Sequence, residues 1–175
     1  DQRFFSGSLA DLRSVRDAVQ VPLLRKDFII DEYQVYEARA NGADAILLIA
    51  AILDKLHLRD LHAMARELGM ECLVELYKVS EIDILDFDAM RLVGVNNRDL
   101  RTLAVDVGHT LALAASIPAD VTLVSESGIR SWSDLKRLRD AGIHAALVGE
   151  LLMKADHPGT ALQKLLEGLQ NEHQG

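Results

Sequence analysis

Gly42-Ala43-Asp44-Ala45-Ile46-Leu47-Leu48-Ile49-Ala50 is the stretch that decides the fold. A glycine that ends a helix is followed by a tight turn and then by an apolar run with no polar break. An unbroken run has both faces buried, which marks a parallel strand covered by helices rather than a strand with one wet face. The phrase returns loosely as Gly142-Ile143-His144-Ala145-Ala146-Leu147-Val148. Similar runs stand at Val21–Arg25, Glu71–Leu76, Arg91–Val95 and Val121–Ser125, so that with Ala45–Ala50 and Ala145–Val148 the sequence predicts six strands.

The stretches between the runs carry helix patterns with readable ends. Asp31-Glu32 opens a helix that stops near Asn41-Gly42, Leu56–Leu68 stops at Gly69, and a third helix runs from Ser131 to Gly142. Ser131 is the expected N-cap, with Asp134 as the acidic third position. A glycine at each C-terminus suits the left-handed residue that ends a helix. The last strand is followed by a short Leu151–Lys154 stretch and by a helix over 158–169. Strands recur at the spacing of a βα unit. Residues 1–175 therefore read as one α/β domain of six β-then-α units, without a linker or a low-complexity segment. At the level of periodicity an open doubly wound sheet is the alternative architecture.

Composition narrows the function classes. The 175 residues are 49% hydrophobic and carry a formal net charge of −8. Nucleic acid is not the expected partner, since a phosphate backbone needs a basic footprint. A small phosphorylated ligand remains compatible, because local backbone N–H groups can hold one anion whatever the global charge. The longest apolar run, Ala45–Leu53, is about half the ~20 residues a membrane span requires. Asp1-Gln2-Arg3-Phe4-Phe5 has no charged start leading into an apolar stretch, so no secretory leader is expected. The single cysteine, Cys72, excludes an internal disulfide and a cysteine-rich zinc site, and fits a reducing cytoplasm.

In a parallel α/β arrangement reactive groups gather at the C-terminal ends of the strands. The polar residues at those places are Lys26-Asp27, Glu75, Asn96-Asn97-Arg98-Asp99, Ser125-Glu126-Ser127-Gly128 and Gly149-Glu150. Lys26 is either a solvated rim charge or an acid and carboxylate anchor. Glu75 closes an apolar run, where a carboxylate is costly unless paired, and Lys26 is its natural partner. Asn96, Asn97 and Asp99 suit turn capping as well as substrate contact. Arg98 suits an ion pair within its loop. Phe4, Phe5 and Phe28 are core candidates that could equally form a slot for a planar ring, and Trp132 reads as packing. Ser127-Gly128-Ile129 and Val148-Gly149-Glu150 are phosphate candidates, because small turns after the last two strands let backbone N–H groups approach an anion. The six histidines show no metal-ligand spacing at strand ends, so no metal is expected.

Taken together, Phe4-Phe5-Ser6-Gly7-Ser8, Leu24-Arg25-Lys26-Asp27-Phe28-Ile29, Gly94-Val95-Asn96-Asn97-Arg98-Asp99-Leu100, Ser125-Glu126-Ser127-Gly128-Ile129 and Leu147-Val148-Gly149-Glu150-Leu151-Leu152-Met153 resemble the pattern of indole-3-glycerol-phosphate synthase. The resemblance runs from Asp1 to Leu166 in order and spacing. It implies a (β/α)₈ barrel, here strands three to eight. It also implies a carbon-carbon lyase of tryptophan biosynthesis, closing the ring of 1-(2-carboxyphenylamino)-1-deoxyribulose 5-phosphate to indole-3-glycerol phosphate with loss of carbon dioxide and water. Lys26 resembles the family's general acid at the ribulose carbonyl. Glu75 is similar to the glutamate that assists dehydration, and Asn96 to the amide that positions a substrate hydroxyl and that glutamate. Ser127 is similar to a serine near the phosphate end. Phe5 and Phe28 resemble residues flanking the anthranilate ring, Arg98 and Glu126 resemble residues at the site rim, and Gly128 and Gly149 resemble phosphate-loop positions beside Glu150. No cofactor is implied.

The family barrel begins with two further βα units, including a Glu-x-Lys strand and a Ser-Pro-Ser turn that residues 1–175 lack. Its lysine anchors the substrate carboxylate, so turnover by the 175 residues alone is not implied. Two unpaired strand edges are expected to be covered by a second copy or by the family's first segment, unless the chain is part of a longer protein. Two readings compete. One is a related phosphate-binding isomerase such as phosphoribosylanthranilate isomerase, although Cys72 falls inside a strand rather than at its end. The other is a non-catalytic fragment acting as an assembly module.

Overall fold

The computed structural model describes residues 6–99 and 102–172. The chain forms two compact units, one of residues 1–76 with 80–93 and one of residues 77–79 with 94–175.

In the first unit, helix α1 (Leu9–Ala18) precedes strand β1 (Leu24–Arg25), helix α2 (Glu32–Ala40), strand β2 (Ala45–Ile49), helix α3 (Lys55–Glu67) and strand β3 (Glu71–Leu76). β1 pairs with β2 and β2 with β3, all parallel, with Leu24 opposite Ala45 and Ile49 opposite Glu75. Ile46, Leu47, Leu48, Leu73 and Val74 are all buried, so both faces of these strands are covered, as the unbroken apolar runs require. α3 packs on β2 and β3 and turns Leu58, Leu61, His62 and Ala65 inward, the i, i+3, i+4, i+7 stripe of an amphipathic helix.

Strand β4 (Leu92–Asn96) leads into the second unit, which continues with helix α4 (Gly108–Ala114), strand β5 (Thr122–Glu126), helix α5 (Trp132–Asp140), strand β6 (Ala145–Leu147), the short helix α6 (Glu150–Met153) and helix α7 (Pro158–Glu172). β5 and β6 are parallel, with Val124 opposite Ala145 and Glu126 opposite Leu147. Trp132 packs beneath the Arg139 guanidinium, 5.3 Å from its carbon, as a packing residue should. Among the described residues no helix is long and apolar enough to cross a membrane.

Local chemistry explains the element ends. Ser8 with Asp11, Asp31 with Gln34 and Ser131 with Asp134 each form a capping box, in which cap and third residue satisfy one another's backbone N–H groups. Gly42, Gly69 and Gly142 close α2, α3 and α5 with φ of 87°, 74° and 81°, the left-handed conformation expected of them.

The structure departs from the sequence expectation in three places. The first strand is Leu24–Arg25 rather than Val21–Arg25. The Asp44 carboxylate accepts the Leu23 N–H, and Arg16 donates to the carbonyls of Val19 and Val21, so side chains take the backbone groups a longer strand would use. α1 and α4 are additional helices that the pattern did not single out. In β6, Ala145 and Ala146 are exposed, whereas the expectation was a strand buried on both faces. Their small side chains cover little surface, and β6 is hydrogen-bonded to β5.

Candidate active site

In the first unit, strand alternation sorts the two cations at the end of β1. Successive side chains point to opposite faces. Arg25 turns toward α2, where its guanidinium pairs with Glu37 at 2.9 Å and Asp27 at 3.2 Å and donates to the Gln34 carbonyl. Lys26 therefore takes the other face. Its Nζ donates to Glu75 Oε2 at 3.4 Å, at the end of β3. The pair is asymmetric: the Glu75 side chain is 5% exposed and the Lys26 side chain 42%. A buried carboxylate thus stands behind an accessible ammonium, an arrangement that can offer a proton outward and hold the negative charge inside. The Phe28 ring is half-buried on the following loop. The Phe28 N–H donates to Asp27 and its carbonyl accepts from Gln34 Nε2 at 2.8 Å. Phe5 lies outside the described residues.

In the second unit the loops after β4, β5 and β6 are tied together. Asn96 is buried, and its Oδ1 accepts the Arg98 N–H at 3.0 Å, the turn-capping role open to it from sequence. Arg98 reaches Glu150 Oε2 at 2.6 Å, and Lys154 reaches Glu150 Oε1 at 2.6 Å. Hydrogen bonds and charge from Lys154, then Arg98, hold the Glu150 carboxyl below the usual carboxylate range. Glu126 ends β5 fully buried, rather than on a rim loop, and its carbonyl accepts the Asn97 N–H at 2.8 Å. Ser127 has φ 68° and Gly128 φ 79°, two successive left-handed residues. Gly149 caps α6 with open space around it.

Sequence reasoning did not single out Thr110 and treated Asn97 as a turn residue. Both are buried with Ser125, and the three side chains hydrogen-bond to one another. They come from three separate segments, so no spacing signal could have grouped them. Cys72 is buried against the His62 carbonyl, and its thiol is pushed up from 9.0 to about 12 by burial, then by the Glu71 charge. A neutral, enclosed thiol is unsuited to acid–base work at neutral pH. The folded chain should consequently react with an aromatic disulfide reagent at pH 8 roughly 10³-fold more slowly than the urea-unfolded chain. Equal rates would show that the thiol is accessible.

In each unit parallel strands alternate with helices and end in polar groups, which defines the class as an α/β fold. The family model for indole-3-glycerol phosphate synthase matches residues 1–165, and the chain belongs to that family, which makes its fold one of the (β/α)₈ barrel type. Curated relatives called indole-3-glycerol phosphate synthase include those of Bacteroides thetaiotaomicron, 46% identical over 97% of this chain and 65% of the relative, and Salinibacter ruber, 50% identical over 92% and 60%. That of Desulfotalea psychrophila is 50% identical over 94% and 64%. The chain thus spans between 60% and 65% of these relatives' length. Among solved structures, KGPDC from Streptococcus mutans aligns with TM-score 0.68 at 14% identity, covering 91% of this chain and 77% of that one. The tryptophan synthase α2β2 complex from Pyrococcus furiosus aligns with TM-score 0.65 at 15% identity, covering 93% and 70%. At such identities the likeness is one of fold.

Proposed function

We propose that the chain supplies the catalytic βα units of an indole-3-glycerol-phosphate synthase. The reaction converts 1-(2-carboxyphenylamino)-1-deoxyribulose 5-phosphate into indole-3-glycerol phosphate, carbon dioxide and water. The observation that carries the reading is the Lys26–Glu75 pair at 3.4 Å in a chain of this family. Lys26 acts as general acid at the ribulose carbonyl, so that the anthranilate ring carbon attacks an electrophilic carbon. Rearomatisation then expels carbon dioxide, and loss of the hydroxyl as water completes the pyrrole ring, with Glu75 moving the proton. Positioning and proton transfer supply the rate enhancement, and no cofactor is invoked.

The remaining roles follow the family resemblance. Asn96 orients a substrate hydroxyl. Phe5 and Phe28 flank the aromatic ring, with Arg98 and Glu126 as further substrate-site residues. Ser127, Gly128, Gly149 and Glu150 form the phosphate end, with Glu150 contributing its peptide N–H, since its carboxylate is already committed to two cations. The proposed partner is this sugar phosphate in the cytoplasm, with neither nucleic acid nor membrane involved. The buried Cys72 disfavours the isomerase alternative, which needs an accessible acid–base thiol. The barrel domain is proposed to draw its first two βα units from outside residues 1–175.

The test is indole-product fluorescence with the carboxyphenylamino-deoxyribulose phosphate. It should be run on residues 1–175 alone and with a polypeptide carrying the family's first two βα units. Turnover in the supplemented sample is the expected result. No indole product in either sample would leave the non-catalytic reading, and isomerised product without indole would favour the isomerase.

A further inference from the structure

We infer that Asn97 is a positioning residue, locked by Thr110 and Ser125, that holds the left-handed Ser127-Gly128 turn in the shape in which it meets the substrate's phosphate. The inference rests on the reading of that turn as a phosphate loop.

The hydrogen bonds of the Asn97 amide are fully used. Nδ2 donates to Ser125 Oγ at 2.9 Å and to the Ser127 carbonyl at 3.0 Å. Oδ1 accepts the Thr110 N–H at 3.0 Å and the Thr110 hydroxyl at 2.8 Å. An amide has two N–H donors and an oxygen with two lone pairs, so the side chain is saturated. The fourth contact fixes the sense of the network. Thr110 Oγ1 and Ser125 Oγ are 2.9 Å apart, and either could be the donor from distance alone. An amide oxygen only accepts, so the Thr110 proton goes to Asn97. Ser125 must then donate to Thr110 while accepting from Asn97. The three side chains form a closed ring of hydrogen bonds running one way, Asn97 to Ser125 to Thr110 and back to Asn97. Such rings strengthen each member in a low-dielectric interior. Thr110 and Ser125 are fully buried and Asn97 is 2% exposed, so water does not compete.

The amide proton that is not in the ring goes to the Ser127 carbonyl. That carbonyl belongs to a residue with a Cβ at φ 68°, a conformation seldom adopted unless the surroundings enforce it. The backbone of Asn97 is fixed as well. Its N–H donates to the Glu126 carbonyl at 2.8 Å, and its carbonyl accepts the Asp106 N–H at 3.1 Å. A rigid donor on the loop after β4 thereby sets the geometry of the turn after β5. An aspartate at 97 would keep both acceptor contacts with Thr110 but present lone pairs to the Ser127 carbonyl, so it removes the hold while preserving the side chain's shape.

Two measurements test this on Asn97→Asp, Thr110→Val and the conservative Thr110→Ser. In the supplemented protein, Asn97→Asp and Thr110→Val should raise KM and the inhibition constant of inorganic phosphate together, by roughly 10- to 100-fold, with a much smaller change in kcat. Thr110→Ser keeps the hydroxyl and should restore both constants. A merely structural role would lower the folded fraction, and so the apparent kcat, with KM and the phosphate constant unmoved; that result overturns the inference. In the 175-residue chain, amide NMR reports the left-handed backbone coupling of Ser127 directly. Should the wild-type protein neither turn over nor bind phosphate, the phosphate-loop reading fails. The coupling then still decides the clamp: its loss in Asn97→Asp supports it and its persistence overturns it. If Asn97→Asp does not fold, Thr110→Val carries the same two measurements.

Discussion

Lys26→Met is expected to lower kcat/KM by about 10²- to 10⁴-fold, the range that a positioned general acid contributes. Methionine matches the length and apolar stem of lysine without its charge, so packing along β1 is preserved and the loss reports the proton. KM should change little, because the proton is delivered as the carbonyl carbon is attacked, and groups acting only in the transition state leave ground-state binding intact. The side chain is accessible, at 42% exposure, so the substitution does not hollow out a core. Indole-product fluorescence in the supplemented protein is the measurement. A loss below tenfold would remove Lys26 from the chemistry. Lys26→Arg should recover little, since guanidinium holds its proton far more tightly than an ammonium and has a different shape.

The second large effect concerns stability. Gly128→Ala would place a methyl group 2.3 Å from Val105 Cγ1 and 3.5 Å from Val107 Cγ2, at φ 79°. The left-handed backbone costs about 1–2 kcal/mol for a residue with a Cβ. Forcing extra volume into packed surroundings adds about 1–3 kcal/mol. At roughly 2–4 °C per kcal/mol for a chain of this size, the melting midpoint should fall by roughly 5–15 °C. Gly149→Ala is the matched control, because nothing lies within 4 Å of the added carbon and its φ is −116°. It should melt close to wild type. Similar midpoints for the two variants would contradict the close approach of Val105 to Gly128. A loss of phosphate affinity in Gly149→Ala without a loss of stability would assign that glycine to the ligand rather than to the fold.

Much of this was legible from residues 1–175 because the signals are local. Gly42, Gly69 and Gly142 announce helix ends, since a left-handed residue is needed there and glycine supplies it without a steric cost. Lys26 and Glu75 could be paired from sequence because each is a polar residue close to the end of an apolar run, and parallel strands bring such ends to one side. What was not legible depends on partners distant in sequence. The first strand lost its leading residues to Arg16, which takes the Val21 carbonyl, and to Asp44, which takes the Leu23 N–H, and no local pattern reveals either contact. α4 has no glycine stop, and Val107 before it makes no side-chain hydrogen bond; the Asp106 carboxylate, which accepts the Gly108 N–H, was the signal that could have found its start. For α1 the capping box of Ser8 and Asp11 was the signal that could have found it. Asn96 and Asn97 look interchangeable in the sequence. One caps its own turn, while the other is enclosed by Thr110 and Ser125, a difference set entirely by tertiary neighbours.

The three capping boxes bear on how the chain is made. Each seals its helix start with residues no more than three positions apart, so the seal needs nothing from downstream sequence. A ribosome adds roughly 5–20 residues per second, so a βα unit takes seconds to emerge. Helix formation takes about a microsecond or less. A helix that can start itself therefore samples its final form many times over before the strand that follows it leaves the exit tunnel. The strands that follow these three helices, β1, β2 and β6, are then met by a helix already in place, which shortens the time that their apolar residues spend exposed to other nascent chains.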